Sequence, residues 1–258
     1  MLFLLSPAKT LDYETPLPAA VQRRATEPLF SRQAAELIGV LRRKTPAQVA
    51  ALMELSDALA TLNVGRYAAW QPQATALNSR PAVYAFNGDV YEGLQAPTLK
   101  AADLKWAQDH VVILSGLYGV LRPLDRLQPY RLEMGTTLAN AQGRDLYAFW
   151  GDTIAQHLNE RLAGERSPVI VNLASQEYAR AALRRVLQAE VIDCQFEDWK
   201  GEGYKVISFF AKRARGLMCR WAIEQRVRSP RALRGFSAEG YALAEEASTP
   251  QRLVFRRG

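Results

Sequence analysis

Short apolar runs that each give way at once to a polar, turn-forming segment are what most restrict the folds open to this chain. Met1-Leu2-Phe3-Leu4-Leu5 stops at Ser6-Pro7-Ala8-Lys9-Thr10, and Pro81-Ala82-Val83-Tyr84-Ala85-Phe86 stops at Asn87-Gly88-Asp89-Val90-Tyr91. Val111-Val112-Ile113-Leu114 stops at Ser115-Gly116-Leu117-Tyr118. Pro168 to Leu173 runs into Asn172 to Ser175, and Tyr204 to Phe210 into Ala211-Lys212-Arg213-Ala214-Arg215. Runs of this length, bounded by turn residues, predict buried strands. Helical stretches lie between them, and this alternation predicts a mixed α/β fold, a layered and partly parallel sheet with flanking helices.

Pro28 to Lys44 and Pro46 to Leu55 each open on a proline suited to a first helical turn, and Asp57 to about Ala69 follows Ser56. Leu99 to Asp109, Asp145 to Ala163 and Ala211 to Val227 are the later helices, with Ser175 placed to cap one more. Glu190 to Phe196 and Tyr204 to Phe210 read as a hairpin, and Gly240 to Leu243 and Arg252 to Phe255 as closing strands. With 258 residues at 48% hydrophobic, the chain is expected to form one compact domain, residues 28 to 70 or so being a helical insertion.

No run of about eighteen apolar residues is present, and Ser6-Pro7 cuts Met1 to Leu5 off too soon for a signal peptide's apolar region. The chain therefore reads as soluble, cytoplasmic and without a membrane partner. Cys194 and Cys219 are the only cysteines, and His110 and His157 the only histidines. Neither a disulfide framework nor a zinc site of the usual kind is expected, and no metal or cofactor is assigned.

The net charge is +7, and its placement is informative. Residues 211 to 234 hold Lys212, Arg213, Arg215, Arg220, Arg226, Arg228, Arg231 and Arg234 against the single acid Glu224, a surplus equal to that of the whole chain. So concentrated a field favours a polyanion, nucleic acid being the usual one; a solvated helix face and an anionic membrane surface are the alternatives.

Ser115 to Glu133 is too often interrupted by Gly116, Gly119, Pro123 and Pro129 to be a regular element. It carries directional side chains in Tyr118, Arg122, Asp125, Arg126, Tyr130, Arg131 and Glu133. It reads either as one wall of a site or as a surface excursion stapled by Arg-carboxylate pairs. In open α/β sheets, ligands sit beyond the carboxyl ends of the strands, so the five polar segments are expected to share one cleft. Lys9, Arg122, Arg131, Lys212 and Arg215 would be its donors and Asp89, Glu133 and Glu177 its acceptors, a set suited to a phosphate-bearing or nucleotide-like small molecule. Ser6, Tyr91, Ser115, Tyr118, Asp125, Tyr130, Asn172 and Ser175 complete the expected lining. There is no Gly-x-Gly-x-x-Gly after the first strand, no Walker-type loop and no Gly-x-Ser-x-Gly elbow. If chemistry occurs, Lys9 or Lys212 is the candidate nucleophile or base, with Asp89 and Glu133 as the carboxylates beside it.

Six blocks, in this order, resemble the YaaA family of bacterial peroxide-stress proteins. They are Leu5 to Asp12 (LSPAKTLD), Phe86 to Tyr91 (FNGDVY), Leu114 to Asp125 (LSGLYGVLRPLD), Pro129 to Met134 (PYRLEM), Asn172 to Ser175 (NLAS) and Ala211 to Gly216 (AKRARG). The resemblance runs nearly end to end. Asn87 departs from it, since many members carry Lys there. The resemblance implies a cytosolic protein that protects cells during hydrogen peroxide stress, limiting free intracellular iron and oxidative DNA damage. It also implies binding to double-stranded DNA, a positively charged cleft and a helix-hairpin-helix-like element. Gln48 to Trp70 is the segment that would form that element, two helices meeting at Ser56-Asp57, with Asn63-Val64-Gly65-Arg66 as a turn whose backbone N–H groups face a phosphate. Arg66, Lys212, Arg213, Arg215, Arg220, Arg226 and Arg228 would be the non-specific phosphate contacts.

Overall fold

Leu2–Leu5 has no polar residue on either face, and such a strand is stable only where both faces are covered. In the computed structural model, which describes residues 1–258, it is buried at the middle of an eight-stranded sheet. The strands are Leu2–Leu5 (β1), Val111–Ser115 (β2), Gly119–Leu121 (β3), Val169–Leu173 (β4), Glu190–Lys200 (β5), Gly203–Lys205 (β6), Ala242–Leu243 (β7) and Arg252–Arg257 (β8). Their spatial order is β7-β8-β5-β4-β1-β2-β3, with β6 turned back on the end of β5. The five strands from β8 to β2 run parallel, in register Phe3 to Val111 and Leu4 to Asn172; antiparallel β3 and β7 close the edges.

The helices used below are Ser31–Leu41 (α1), Pro46–Met53 (α2), Asp57–Ala69 (α3), Asp89–Leu94 (α4), Ala101–His110 (α5), Leu146–Trp150 (α6), Thr153–Leu162 (α7), Gln176–Ala182 (α8) and Ser208–Gln225 (α9). One apolar cluster extends from Met1 to Phe255. None of the helices is long and apolar enough to cross a membrane. The tightest packing joins α9 to α4: a Cβ on Gly216 would stand 1.8 Å from the Val90 carbonyl oxygen, and one on Gly93 2.2 Å from that of Arg213. Only glycine lets two helix backbones approach so closely.

Several local expectations are corrected. Pro81 to Phe86 is not a strand: Arg80–Pro81 and Phe86–Asn87 make short pairings, and Ala82–Ala85 is a helical turn. The Ala82 and Val83 amides donate to the Asp125 and Pro123 carbonyls, so this segment hangs from the loop and not from the sheet. The strand expected from Tyr204 to Phe210 ends at Lys205, and α9 begins at Ser208, where Phe210 packs under the Arg257 guanidinium at 4.5 Å. Asp145 to Ala163 breaks into α6 and α7 at Gly151, whose φ is 46°. The turn expected at Asn63 to Arg66 lies inside α3. Its amides serve the helix, Asn63 is buried and donates to the Leu59 carbonyl at 2.8 Å, and no free N–H group faces out there. The connection between α2 and α3 turns instead at Glu54, in the left-handed region, with Ser56 capping α3.

Candidate functional site

The chain leaves β1 toward β2 and later returns to place β4 on β1's other side, so the connections diverge at β1's carboxyl end and open a crevice there. A cleft of about 500 Å³ occupies it. Ser6 to Thr10 leave β1 along its floor, and Ser175, Glu177 and Tyr178 enter from the start of α8. Asn87 to Val90, Tyr130 to Glu133, and Lys212 and Arg215 of α9 complete it.

Each wall has a local cause. Gly116 has no Cβ, and one would stand 2.3 Å from the Leu132 carbonyl oxygen, so only there can the loop fold back against the strand end and carry Arg131 and Glu133 to the crevice. The Ser115 hydroxyl, buried 2.7 Å from the Tyr130 hydroxyl, fixes the same return. Ser175 occupies the N-cap position of α8, but its side chain makes no cap; its amide donates to Ser6 Oγ at 2.8 Å, tying the β4 end to the β1 end. The tight Gly93-Gly216 crossing sets the height of α9 and hence of Lys212 and Arg215.

Charge inside the cleft is nearly balanced, four cations facing three carboxylates. Glu133 Oε1 accepts from Arg131 Nε at 3.2 Å and Nη2 at 3.0 Å, and lies 3.4 Å from Lys9 Nζ. Lys212 Nζ is 3.9 Å from Asp89 Oδ2, and Glu177 Oε1 accepts the Gly135 amide at 2.8 Å. Arg215 meets no carboxylate; burial lowers its guanidinium from the usual arginine range. The Tyr130 and Tyr178 phenols are pushed up by burial and stay protonated. No group of three or more His, Cys, Asp or Glu side chains is placed to hold a metal ion.

The structure thus brings together Ser6, Lys9, Asp89, Tyr130, Arg131, Glu133, Ser175, Lys212 and Arg215. Six residues expected beside them lie elsewhere. Tyr118 is buried beneath the loop, accepting from Trp70 Nε1 at 2.9 Å and the Gln128 amide at 3.3 Å, with burial raising its phenol to about 12. Arg122 and Asp125 form the staple, Nε to Oδ1 at 3.0 Å, with Thr26 Oγ1 adding 2.6 Å to the same carboxylate. Ser115 and Tyr91 act behind the wall, Tyr91 donating to the Ser6 carbonyl at 3.1 Å. Asn172 turns to Asp193 at 2.7 Å, because alternation along β4 points it away. The first half of the Ser115 to Glu133 loop is therefore a staple, and its second half lines the cleft. Sequence reasoning passed over Tyr178 as a cleft residue; it follows Ser175 and Glu177 in the same strand-to-helix turn, the one signal that could have shown it.

The other cations expected to meet phosphate are largely engaged. Arg213 binds Glu239, Nε to Oε2 at 2.9 Å; Arg226 binds Asp103 at 2.7 Å; and Arg220 reaches Glu224 at 2.8 Å and Thr98 Oγ1 at 2.7 Å. Arg66 lies half-buried along α3, 3.3 Å from Asn63 Oδ1. Arg228 is exposed and without an ion pair.

A family model described as peroxide stress protein YaaA matches residues 1–247. A UPF0246 protein of Leptothrix cholodnii is 68% identical over 257 residues, spanning 100% of this chain and 98% of its own. UPF0246 proteins of Paracidovorax citrulli and Polaromonas naphthalenivorans are 63% and 62% identical, each across 100% of this chain and 98% and 99% of their own. With the family's six blocks in order and five of them meeting in one cleft, this chain belongs to the YaaA family of peroxide stress proteins.

Proposed function

We propose that the chain serves peroxide resistance by binding duplex DNA non-specifically, through phosphate contacts made by the face that follows α9. The supporting observation is the confinement of the charge surplus to residues 211–234, which the fold lays along α9 and the turn after it. Lys212, Arg213, Arg220, Arg226 and Arg234 already face carboxylates there, whereas Arg228 and Arg231 are exposed and meet none. Those two need break no ion pair to meet a phosphate. Cations of a bound protein displace the counterions condensed on DNA. At the connection between α2 and α3, Glu54 and Asp57 oppose a phosphate, so the Arg228 face is the better candidate. Arg228→Ala with Arg231→Ala should flatten the salt dependence of duplex binding, by about 0.9 in log–log slope for each phosphate left without its cation. An unchanged slope would move the DNA site elsewhere.

A second reading, a nucleotide-like or base-like small molecule handled in the cleft, is favoured by size. A cleft of about 500 Å³ fits such a ligand and is far too small for a duplex. In its enzymatic form Lys9 or Lys212 would be the nucleophile or base, beside Asp89 and Glu133.

A further inference from the structure

Five buried polar side-chain atoms in the whole molecule lack a hydrogen-bond partner, and two of them belong to the cleft: Arg215 Nε and Glu133 Oε2. They are of opposite sense, one a donor and the other an acceptor. Native proteins leave few such groups, and each calls for a cause. Arg215 enters no ion pair, and although the side chain as a whole is only partly buried, its Nε is enclosed without an acceptor, a costly arrangement in a free protein. It cannot escape by shifting its backbone, because the next residue is Gly216, locked against Val90 and Leu94 of the neighbouring helix segment. Glu133 is loaded on one side only: Arg131 and Lys9 both address Oε1, and no donor reaches Oε2.

We infer that the cleft is built for a ligand with two unlike ends, an anionic group gripped by Arg215 and Lys212 and an N–H-bearing group that donates to Glu133. The inference deepens the small-molecule reading of the cleft and rests on it. Lys212 and Arg215 are three residues apart on α9 and so share one side of the helix. Two cations converging on one group suit a phosphate dianion better than a singly charged carboxylate, and arginine's planar fork takes two phosphate oxygens at once. At the other pole, a carboxylate oxygen with no donor matches the ring N–H or exocyclic amine of a base. Nucleoside monophosphates carry both ends and are of a size with the cleft.

The test is calorimetric titration of the full chain with AMP, GMP and CMP, and separately with inorganic phosphate. At least one monophosphate should bind, and Arg215→Met should weaken it tenfold or more, with Arg215→Lys intermediate. Glu133→Gln should weaken the monophosphate without weakening inorganic phosphate, the mark of two separate poles. Unliganded Arg215→Met should melt at or above the wild-type temperature, since a residue kept for a ligand at the expense of the free fold stabilises when replaced. Monophosphate binding that survives Arg215→Met or Arg215→Lys at full strength would overturn the anchor, and a Glu133→Gln variant that loses phosphate as well would overturn the polarity. A wild-type chain that binds no monophosphate at millimolar concentration would remove the small-molecule reading itself.

Discussion

Asp125 shows what a charge must have in order to stay buried. It is fully enclosed, yet accepts from Thr26 Oγ1, Arg122 Nε and the Arg122 amide, and burial still raises its carboxyl above the usual carboxylate range. Removing it strands Arg122 and Thr26 together. Asp125→Ala should therefore cost about 3 kcal/mol or more in urea unfolding, and Thr26→Val about 2 kcal/mol, because the latter deletes the hydrogen bonds to Asp125 and from Gln108 and keeps the ion pair. The thiols make a second residue-scale case. Cys194 and Cys219 are both buried, and burial pushes both well above the usual thiol range. The thiolate is the reactive form, so neither should consume peroxide. A stably folded Cys194→Ala, Cys219→Ala double variant should keep its protection in a peroxide-challenged strain; loss of protection would overturn this.

At the level of elements, the glycines sort by what surrounds them. A methyl group on Gly216 would meet backbone atoms of Val90 and Leu94, which cannot rotate away. Gly216→Ala should destabilise by about 3 kcal/mol or more, visible as a lower denaturant midpoint. Gly65, inside α3, has nothing within 4 Å of the place its Cβ would take. Gly65→Ala should stabilise by about 0.5 to 1 kcal/mol through helix propensity alone. The same helix shows where local chemistry misleads. Asn63-Val64-Gly65-Arg66 has the composition of a turn, but Ala60, Asn63 and Tyr67 pack one helical side against the core and hold the helix through it. Val206 and Ile207 have strand character, yet β6 ends at Lys205 although its partner β5 runs on past Asp198, and packing starts a helix one residue after Ile207. In both places a few tenths of a kcal/mol per residue of local preference is overridden by burial.

For the whole molecule, burial holds His110 and His157 below the usual histidine range. The unfolded chain then takes up protons that the native one refuses, so stability present above about pH 6.5 is lost as pH falls through that value toward their lowered native ones. Urea midpoints should drop between pH 7.5 and pH 5.5, and His110→Asn with His157→Asn should flatten the drop; a slope unchanged in that double variant would assign it to other groups. The alternation of apolar runs with polar segments by itself determined the fold class, the strands β1, β2, β4 and β5 in outline, and the residues that end them, because burial on two faces leaves a signature in residue type alone; β3, inside the glycine-rich loop, was not legible. Lys9, Asp89, Arg131, Glu133, Lys212 and Arg215 were nameable for the same reason, as costly side chains at the ends of apolar runs or beside them. Only tertiary structure decided which of them meet. Arg122 and Arg131 are alike in sequence setting, nine residues apart in one loop, yet one finds a buried Asp125 and becomes a staple while the other faces the cleft. Likewise the surplus of residues 211 to 234 looked like one basic face, and most of it is spent on Asp89, Asp103, Glu224, Glu239 and Glu245, most of them distant in the chain. Pairing depends on which side chains the fold brings within about 4 Å, and Coulomb attraction at that range decides a charge's role in a way its neighbours in sequence cannot.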